Sequence, residues 1–178
     1  RKGSRMKIAY TIARGRGGTD LLLAKIADRL MADGVRAIGA VQINEDREDC
    51  HRCDMDLKVL PDGPVFRISQ SLGKESRGCR LDPAALELAV AEVGKGMARG
   101  ADILIINKFG KHEAGGRGFR ETIAEALSRD IPVLVGLNAM NEEAFTEFTG
   151  GVAAQVDAEV EAVWQWAAEA TRATVETG

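Results

Sequence analysis

Residues 7–30 read KIAYTI-ARGRGGTD-LLLAKIADRL, and this stretch decides the fold class. After Lys7, the residues up to Ile12 are mostly apolar and rich in β-forming types, which predicts a buried strand over 7–12. The last ten repeat leucine and isoleucine at helical spacing, which predicts a helix over 19–34 that ends at Gly34. A strand, a glycine-rich turn and a helix, in that order, form the layout of a phosphate-binding loop.

The loop departs from the usual phosphate-binding pattern at two positions. Counted from Ala13 it reads A-x4-G-T-D, where the pattern has G-x4-G-K-[ST]. Thr19 replaces the lysine that reaches the phosphates, and Asp20 replaces the hydroxyl residue that holds Mg²⁺. Two interpretations follow. Either the backbone N–H groups of the loop still bind an anion at the helix start, or this is a tight turn with a Thr19 or Asp20 helix cap.

The rest of the chain alternates between strand and helix patterns. This order predicts a three-layer, P-loop-like (Rossmannoid) α/β fold, in which helices cover both faces of a mostly parallel sheet that carries an inserted β-hairpin. We expect one domain over residues 6–178 and interpret residues 1–5 as an expression remnant. The further strands are predicted at 35–43, 55–60, 65–72, 101–107 and 131–138, and the helices at 83–100, 119–130, 141–150 and 158–173. The segments 44–54, 72–82 and 108–118 are predicted to be loops.

Composition excludes several classes of protein. The chain has 178 residues and a net charge of −3, which argues against a broad nucleic-acid footprint. No apolar run approaches the roughly 20 residues of a membrane span, and no signal peptide is visible. We therefore expect a cytoplasmic protein with no membrane or nucleic-acid partner.

Four loops are expected to meet beyond the carboxyl ends of the parallel strands, where open α/β sheets bind their ligands. They are 13–20, 44–54, 107–118 and 138–141. In the third loop, Asn107 ends an apolar strand at the position where a magnesium-binding aspartate would stand. Lys108 and Lys111 either face an anion or are solvated, and Glu113 could act as a base or hold a metal-bound water.

The segment SRGCRLD, residues 76–82, places Arg77 and Arg80 just before a helix. Two arginines can clamp an oxyanion through paired hydrogen bonds. The alternative is a surface turn in which Asp82 caps the helix and Pro83 is its first residue.

The chain has three cysteines, and Cys50 and Cys53 form a single C-x-x-C pair. With Cys79 and one of the histidines, His51 or His112, they could make a tetrahedral zinc site. The other interpretations are reduced free thiols, which a chain without a secretory signal favours, and a redox pair.

Three separated motifs occur in one order: CDMDLKVLPDGPVFRISQSLG, SRGCRLDPAALE and INKFGKHEAGGRGFRETIAEAL. Together they resemble the bacterial family of domain of unknown function 2478, over about Ile8 to Leu137. The resemblance implies a layout similar to P-loop nucleoside-triphosphatases, including a thermophilic family with a comparable hairpin. It also implies a genomic context of molybdate transport or molybdenum enzymes, with no settled biochemical activity.

The leading hypothesis is therefore a degenerate P-loop that binds a small oxyanion, molybdate, tungstate or phosphate-like, in molybdenum metabolism. The missing lysine argues against efficient nucleoside-triphosphatase activity. The alternatives are a divergent nucleoside-triphosphatase or nucleotide-binding enzyme that uses ATP or GTP with Mg²⁺, and a small cysteine-based metal-binding regulatory protein. The partners considered are a small anionic ligand, a second copy of the chain and a molybdenum-pathway protein. The candidate ligand-binding residues are Arg14, Gly15, Arg16, Gly17, Gly18, Thr19, Asp20, Arg77, Arg80, Asn107, Lys108 and Lys111, and the candidate metal ligands are Cys50, Cys53 and Cys79.

Overall fold

A computed structural model of the chain describes residues 7–13, 18–43, 55–70 and 80–177, with the backbone alone at Gln70, Arg80 and 173–177. Within these ranges, seven strands form one sheet in the order β4-β3-β2-β7-β8-β1-β9, and β5 and β6 form a separate pair. Strands β2, β7, β8, β1 and β9 run parallel, whereas β3 and β4 are antiparallel to their neighbours. The strands are β1 Ile8–Thr11, β2 Ala37–Ile43, β3 Asp56–Leu60, β4 Val65–Arg67, β5 Ser69–Gln70, β6 Arg80–Leu81, β7 Ile103–Phe109, β8 Val133–Leu137 and β9 Ala154–Gln155.

Helices cover both faces of the sheet, which confirms the predicted three-layer α/β architecture. On one face, α1 and α6 bury residues such as Leu23, Ile26 and Val163 against the sheet. On the other face, α2 and α4 contribute Val93 and Ile123 to a second apolar cluster. The helices are α1 Gly18–Ala32, α2 Pro83–Ala98, α3 Lys111–Ala114, α4 Arg120–Ser128, α5 Glu142–Thr149 and α6 Val160–Thr177, with a 3₁₀ turn at Ala139–Asn141.

The predicted helix start at Asp82 and Pro83 is confirmed. The Asp82 carboxylate accepts hydrogen bonds from the backbone N–H groups of Ala84 and Ala85 at 3.1 and 3.3 Å. Pro83 occupies the first turn, where its missing N–H costs nothing. Local capping chemistry therefore determines where α2 begins.

The predicted hairpin forms, but its second strand is shorter than the predicted 65–72. Strand β4 ends at Arg67 because Ile68 turns inward and is buried. The Ile68 N–H donates a hydrogen bond to Met55 O, and the Ile68 oxygen accepts one from the Asp82 N–H. The next two residues then pair with β6. The end of the predicted loop 72–82 is therefore a strand at Arg80–Leu81.

The predicted loop 108–118 is also wrong in part. Strand β7 runs past Asn107 to Phe109, which is fully buried. The centroids of the Phe109 and Phe145 rings lie 5.1 Å apart. A short helix, α3, follows directly. Burial of an aromatic ring thus extends the strand into a stretch that looks polar in sequence.

In the part of the chain that the structure describes, no helix combines the length and apolarity that crossing a bilayer requires.

Candidate functional site

Gly136 brings the first turn of α1 against the carboxyl ends of the parallel strands. It lies in β8, paired with Thr11 of β1. A Cβ atom built on Gly136 would collide with the backbone oxygen of Asn107 and lie 2.6 Å from Thr19 Cγ2. Because only glycine fits this gap, α1 can start directly above the point where β1, β7 and β8 end.

Thr19, which stands in the place of the phosphate-binding lysine, faces back toward strand β1. Its hydroxyl oxygen accepts a hydrogen bond from the Ala13 backbone N–H at 3.3 Å. The side chain therefore links the start of the glycine loop to the start of the helix. This is the contact expected of a loop-bracing residue, and it carries no cationic group toward a ligand.

Asp20 and Asn107 form a hydrogen-bonded pair across the gap between α1 and β7. Asn107 Nδ2 donates to Asp20 Oδ1 at 2.9 Å, and Asn107 Oδ1 accepts from the Gln42 backbone N–H, also at 2.9 Å. The bond to Gln42 fixes the orientation of the amide, because only an oxygen can accept from an N–H group. Asn107 is 6% exposed. Its NH₂ group holds the Asp20 carboxylate, and its oxygen binds the backbone of β2.

This pair reverses the polarity of the usual magnesium site. The P-loop pattern places a hydroxyl on the helix and a carboxylate on the strand. Here the carboxylate is on the helix, at Asp20, and the strand carries the neutral amide of Asn107. The site thus has one carboxylate, as the usual site does, but the carboxylate is on the helix instead of the strand.

Thr11 is a polar residue at this edge that sequence reasoning missed. It ends β1 fully buried, and its hydroxyl oxygen has no hydrogen-bond partner among the residues described. Side chains two apart on a strand share a face, so Thr11 lies on the α1 side together with Ala9. The signal that could have found it is a hydroxyl residue near the end of an otherwise apolar strand, next to a glycine loop.

Glu113 is a buried carboxylate, not a residue of a solvated loop; whether it acts as a base or holds a metal-bound water stays a prediction. It is 4% exposed and accepts hydrogen bonds from the backbone N–H groups of Gly110 and Phe119 at 2.9 and 3.2 Å. Burial raises the pKa of the Glu113 carboxyl above its usual range, although these backbone donors and His112 act in the opposite direction. The side chain thus ties together the two ends of the segment 110–119.

Glu113→Gln is expected to lower the free energy of unfolding by about 1 to 3 kcal/mol near pH 4.5, because the new amide would direct an N–H group at a backbone N–H. Since the folded pKa is raised, the stability contributed by Glu113 is complete below the ordinary glutamate pKa and declines as the pH rises through the folded value. The gap between wild type and variant should therefore narrow from pH 4.5 to pH 8 in urea unfolding curves.

Glu121→Gln, an exposed position on α4, is the control and should leave the curves unchanged. A gap that widens with rising pH would contradict the raised pKa.

The remaining candidate residues are placed unevenly. Lys108 is exposed on β7 next to Asn107, and Lys111 is exposed at the start of α3. Among the residues described, no contact joins either lysine to Asp20. The candidates that lie outside the described residues are Arg14, Gly15, Arg16, Gly17, Arg77, Cys50, Cys53 and Cys79, and Arg80 is described by its backbone alone.

Among the residues that the structure describes, no cluster of three or more histidine, cysteine or acidic side chains could bind a metal ion. The three cysteines lie elsewhere, so the cysteine-based metal site stays a prediction.

The chain is similar to a curated protein, to a solved structure and to a family model. Molybdenum import ATP-binding protein ModC 2 of Bradyrhizobium diazoefficiens is 35% identical over 161 residues, which are 90% of this chain and 18% of that protein. The chain therefore spans less than a fifth of the length of this relative. The solution structure of a human cancer-related nucleoside triphosphatase superposes with a TM-score of 0.63 at 17% identity and covers 97% of this chain and 99% of that one. At that identity the likeness shows the fold alone.

A family model described as protein of unknown function (DUF2478) matches residues 8–166. This range includes the glycine loop, Asn107 and Glu113. The chain belongs to the DUF2478 family.

Proposed function

We propose that the chain binds a small tetrahedral oxyanion of the molybdate and tungstate class at the start of α1. The observation that carries this proposal is the position of Thr19, whose hydroxyl turns back onto Ala13 where a nucleotide-binding loop has its lysine. Backbone N–H groups at a helix start suit a compact dianion without that lysine. The proposed contacts are the amides of residues 15–19, with positive charge from Arg14, Arg16, Arg77 and Arg80.

Asp20 limits which anions such a site accepts. A carboxylate in the first turn of α1 repels the extended charge of a triphosphate more than it repels a small anion that stays close to the amides. A role in molybdenum handling, in the cytoplasm and beside a molybdenum-pathway protein, is part of the proposal. It is supported by the name of the ModC 2 relative, a molybdenum import protein.

Isothermal titration calorimetry tests this proposal directly. Metal-free protein at low salt is titrated with molybdate, tungstate, sulfate and phosphate. We expect molybdate or tungstate to bind with a dissociation constant below about 1 mM, equivalent to roughly −4 kcal/mol. Thr19→Val, which removes the hydroxyl that braces the loop, should weaken binding, whereas Lys95→Gln at the opposite edge of the sheet should not. Absence of heat for all four anions overturns the proposal.

A second candidate is a nucleotide site that depends on Mg²⁺, and the Asp20–Asn107 pair favours it. Asp20 is held 2.9 Å from Asn107 Nδ2 in the helix turn where a P-loop protein places its magnesium-binding hydroxyl. A carboxylate is a stronger Mg²⁺ ligand than a hydroxyl, so a cation at Asp20 could bridge to phosphates.

Nucleotide binding and turnover separate this second candidate from the first. ATP and GTP are titrated with and without Mg²⁺, and phosphate release is measured in parallel. Binding that requires Mg²⁺ and is lost in Asp20→Ala supports the nucleotide site. If the protein shows neither nucleotide binding nor turnover with Mg²⁺ present, the nucleotide site is ruled out. The oxyanion proposal is then decided by the calorimetry alone.

A further inference from the structure

A surface cavity of about 360 Å³ lies at the amino-terminal edge of the sheet, opposite the candidate anion site. The last turns of α2, the start of β2 and the turn between β3 and β4 enclose it. Its volume falls within the range of roughly 300 to 1,000 Å³ that is usual for small-molecule sites. None of its lining residues belongs to the anion site, so the two features can be tested separately.

The floor of the cavity is apolar, and a glycine of α2 lies against it. Ile38, Val59 and Leu60 are buried there. A Cβ atom on Gly96 of α2 would lie 3.1 Å from Ile38 Cγ2, whereas a Cβ on Gly94, two residues earlier, would meet nothing within 4 Å. Glycine weakens a helix interior relative to alanine, and at Gly96 the absence of a side chain lets α2 approach Ile38 closely.

The rim carries more positive than negative charge. Lys95 and Glu92 form an ion pair at 2.9 Å, so their charges largely cancel. Arg36 Nη1 donates to the backbone oxygen of Arg99 at 3.1 Å, which holds this guanidinium at the mouth of the cavity.

Within the described ranges the exposed Arg99 guanidinium has no hydrogen-bond or ion-pair partner. Asp62, in the β3–β4 turn, is the remaining acidic side chain of the lining. Once the Lys95–Glu92 pair is set aside, the lining holds two arginines and one aspartate. Because the Asp102 carboxylate accepts from the Arg36 backbone N–H at 2.8 Å, the cation available to a ligand is Arg99.

We propose that this cavity binds a small apolar molecule with one acidic group. The apolar body would cover Ile38, Val59 and Leu60, and the acidic group would bind Arg99. A guanidinium binds carboxylate, sulfonate or phosphate oxygens with directed, charge-assisted hydrogen bonds. Burial of the apolar body supplies the rest of the affinity.

The probe for this site is 8-anilinonaphthalene-1-sulfonate, which has apolar rings and one sulfonate and fluoresces when its rings leave water. Titration of the full chain at low salt should give a saturable signal with one site. Arg99→Gln should raise the dissociation constant about tenfold by removing a charge-assisted hydrogen bond. Gly96→Leu, which places a bulky side chain against Ile38, should raise it by at least about tenfold.

Two matched variants serve as controls. Gly94→Leu places the same side chain two residues away in open space, and Lys25→Gln removes one exposed positive charge from α1. Both should leave the dissociation constant within about twofold, because neither position lines the cavity.

If circular dichroism shows that Gly96→Leu does not fold, the comparison of Arg99→Gln with Lys25→Gln decides alone. The proposal is overturned by a signal that does not saturate, or by equal binding in wild type and Arg99→Gln.

Discussion

Asn107→Asp is expected to make the stability of the protein depend on divalent cations. The substitution places a second carboxylate 2.9 Å from Asp20, where Asn107 now donates a hydrogen bond. A buried and a half-buried carboxylate cannot both ionise at that distance without cost, so the free energy of unfolding in EDTA at pH 7 should fall by about 2 to 4 kcal/mol. If both carboxylates bind Mg²⁺ with a dissociation constant one hundredth of the Mg²⁺ concentration, binding would restore about 2.7 kcal/mol of the free energy of unfolding.

The measurement is urea unfolding of wild type and variant, in EDTA and in 10 mM MgCl₂. Asn107→Ala is the control, because it removes both hydrogen bonds without adding charge and should lose about 1 to 3 kcal/mol whether or not Mg²⁺ is present. Lower pH should also stabilise Asn107→Asp, since one carboxyl of the pair then keeps its proton. A variant as stable as wild type in EDTA would show that Asp20 does not lie beside this position.

Gly136→Ala is expected to destabilise the fold by about 3 kcal/mol or more. The new methyl group would collide with the backbone oxygen of Asn107, and backbone cannot move aside as a flexible side chain can. It would also lie 2.6 Å from Thr19 Cγ2, so α1 would be displaced from the ends of β1 and β8. Thermal unfolding with circular dichroism measures the loss.

A double variant separates the two contacts. Thr19→Ala removes Cγ2 but leaves the Asn107 oxygen in place, so Gly136→Ala with Thr19→Ala should recover only part of the loss. Gly94→Ala is the matched control, because nothing lies within 4 Å of the new methyl group and alanine favours the helix by about 1 kcal/mol. Full recovery in the double variant would place the strain in the side chain instead of the backbone.

Local chemistry made much of the fold predictable. The start of α1 follows from a glycine loop after an apolar strand, and the start of α2 follows from Asp82 and Pro83. These signals depend on a few neighbouring residues, so they survive without knowledge of the tertiary structure. That most strands are parallel follows in the same way from the alternation of strand and helix patterns, whereas their order in the sheet does not.

The contacts within the candidate site depend instead on distant parts of the chain. Asp20 and Asn107 are 87 residues apart, and they meet only because β8 lies between β1 and β7 and carries a glycine at the crossing. Glu113 shows the same limit. In sequence it belongs to a charged, glycine-rich segment. The backbone N–H groups of Gly110 and Phe119 offset the free-energy cost of burying its carboxylate, and they come together only in the folded chain.

The hydrogen bond from the Gln42 N–H to Asn107 Oδ1 gives the site a spectroscopic reporter. Asn107 connects Asp20 on one side to the backbone of β2 on the other through a single conjugated amide. A cation or proton that draws electron density from the Asp20 carboxylate weakens its pull on the Asn107 NH₂ group, and the change passes through the amide to the oxygen that Gln42 faces. The chemical shift of the Gln42 amide proton therefore records what happens at the start of α1 from a position on the neighbouring strand β2, where no ligand has to touch it.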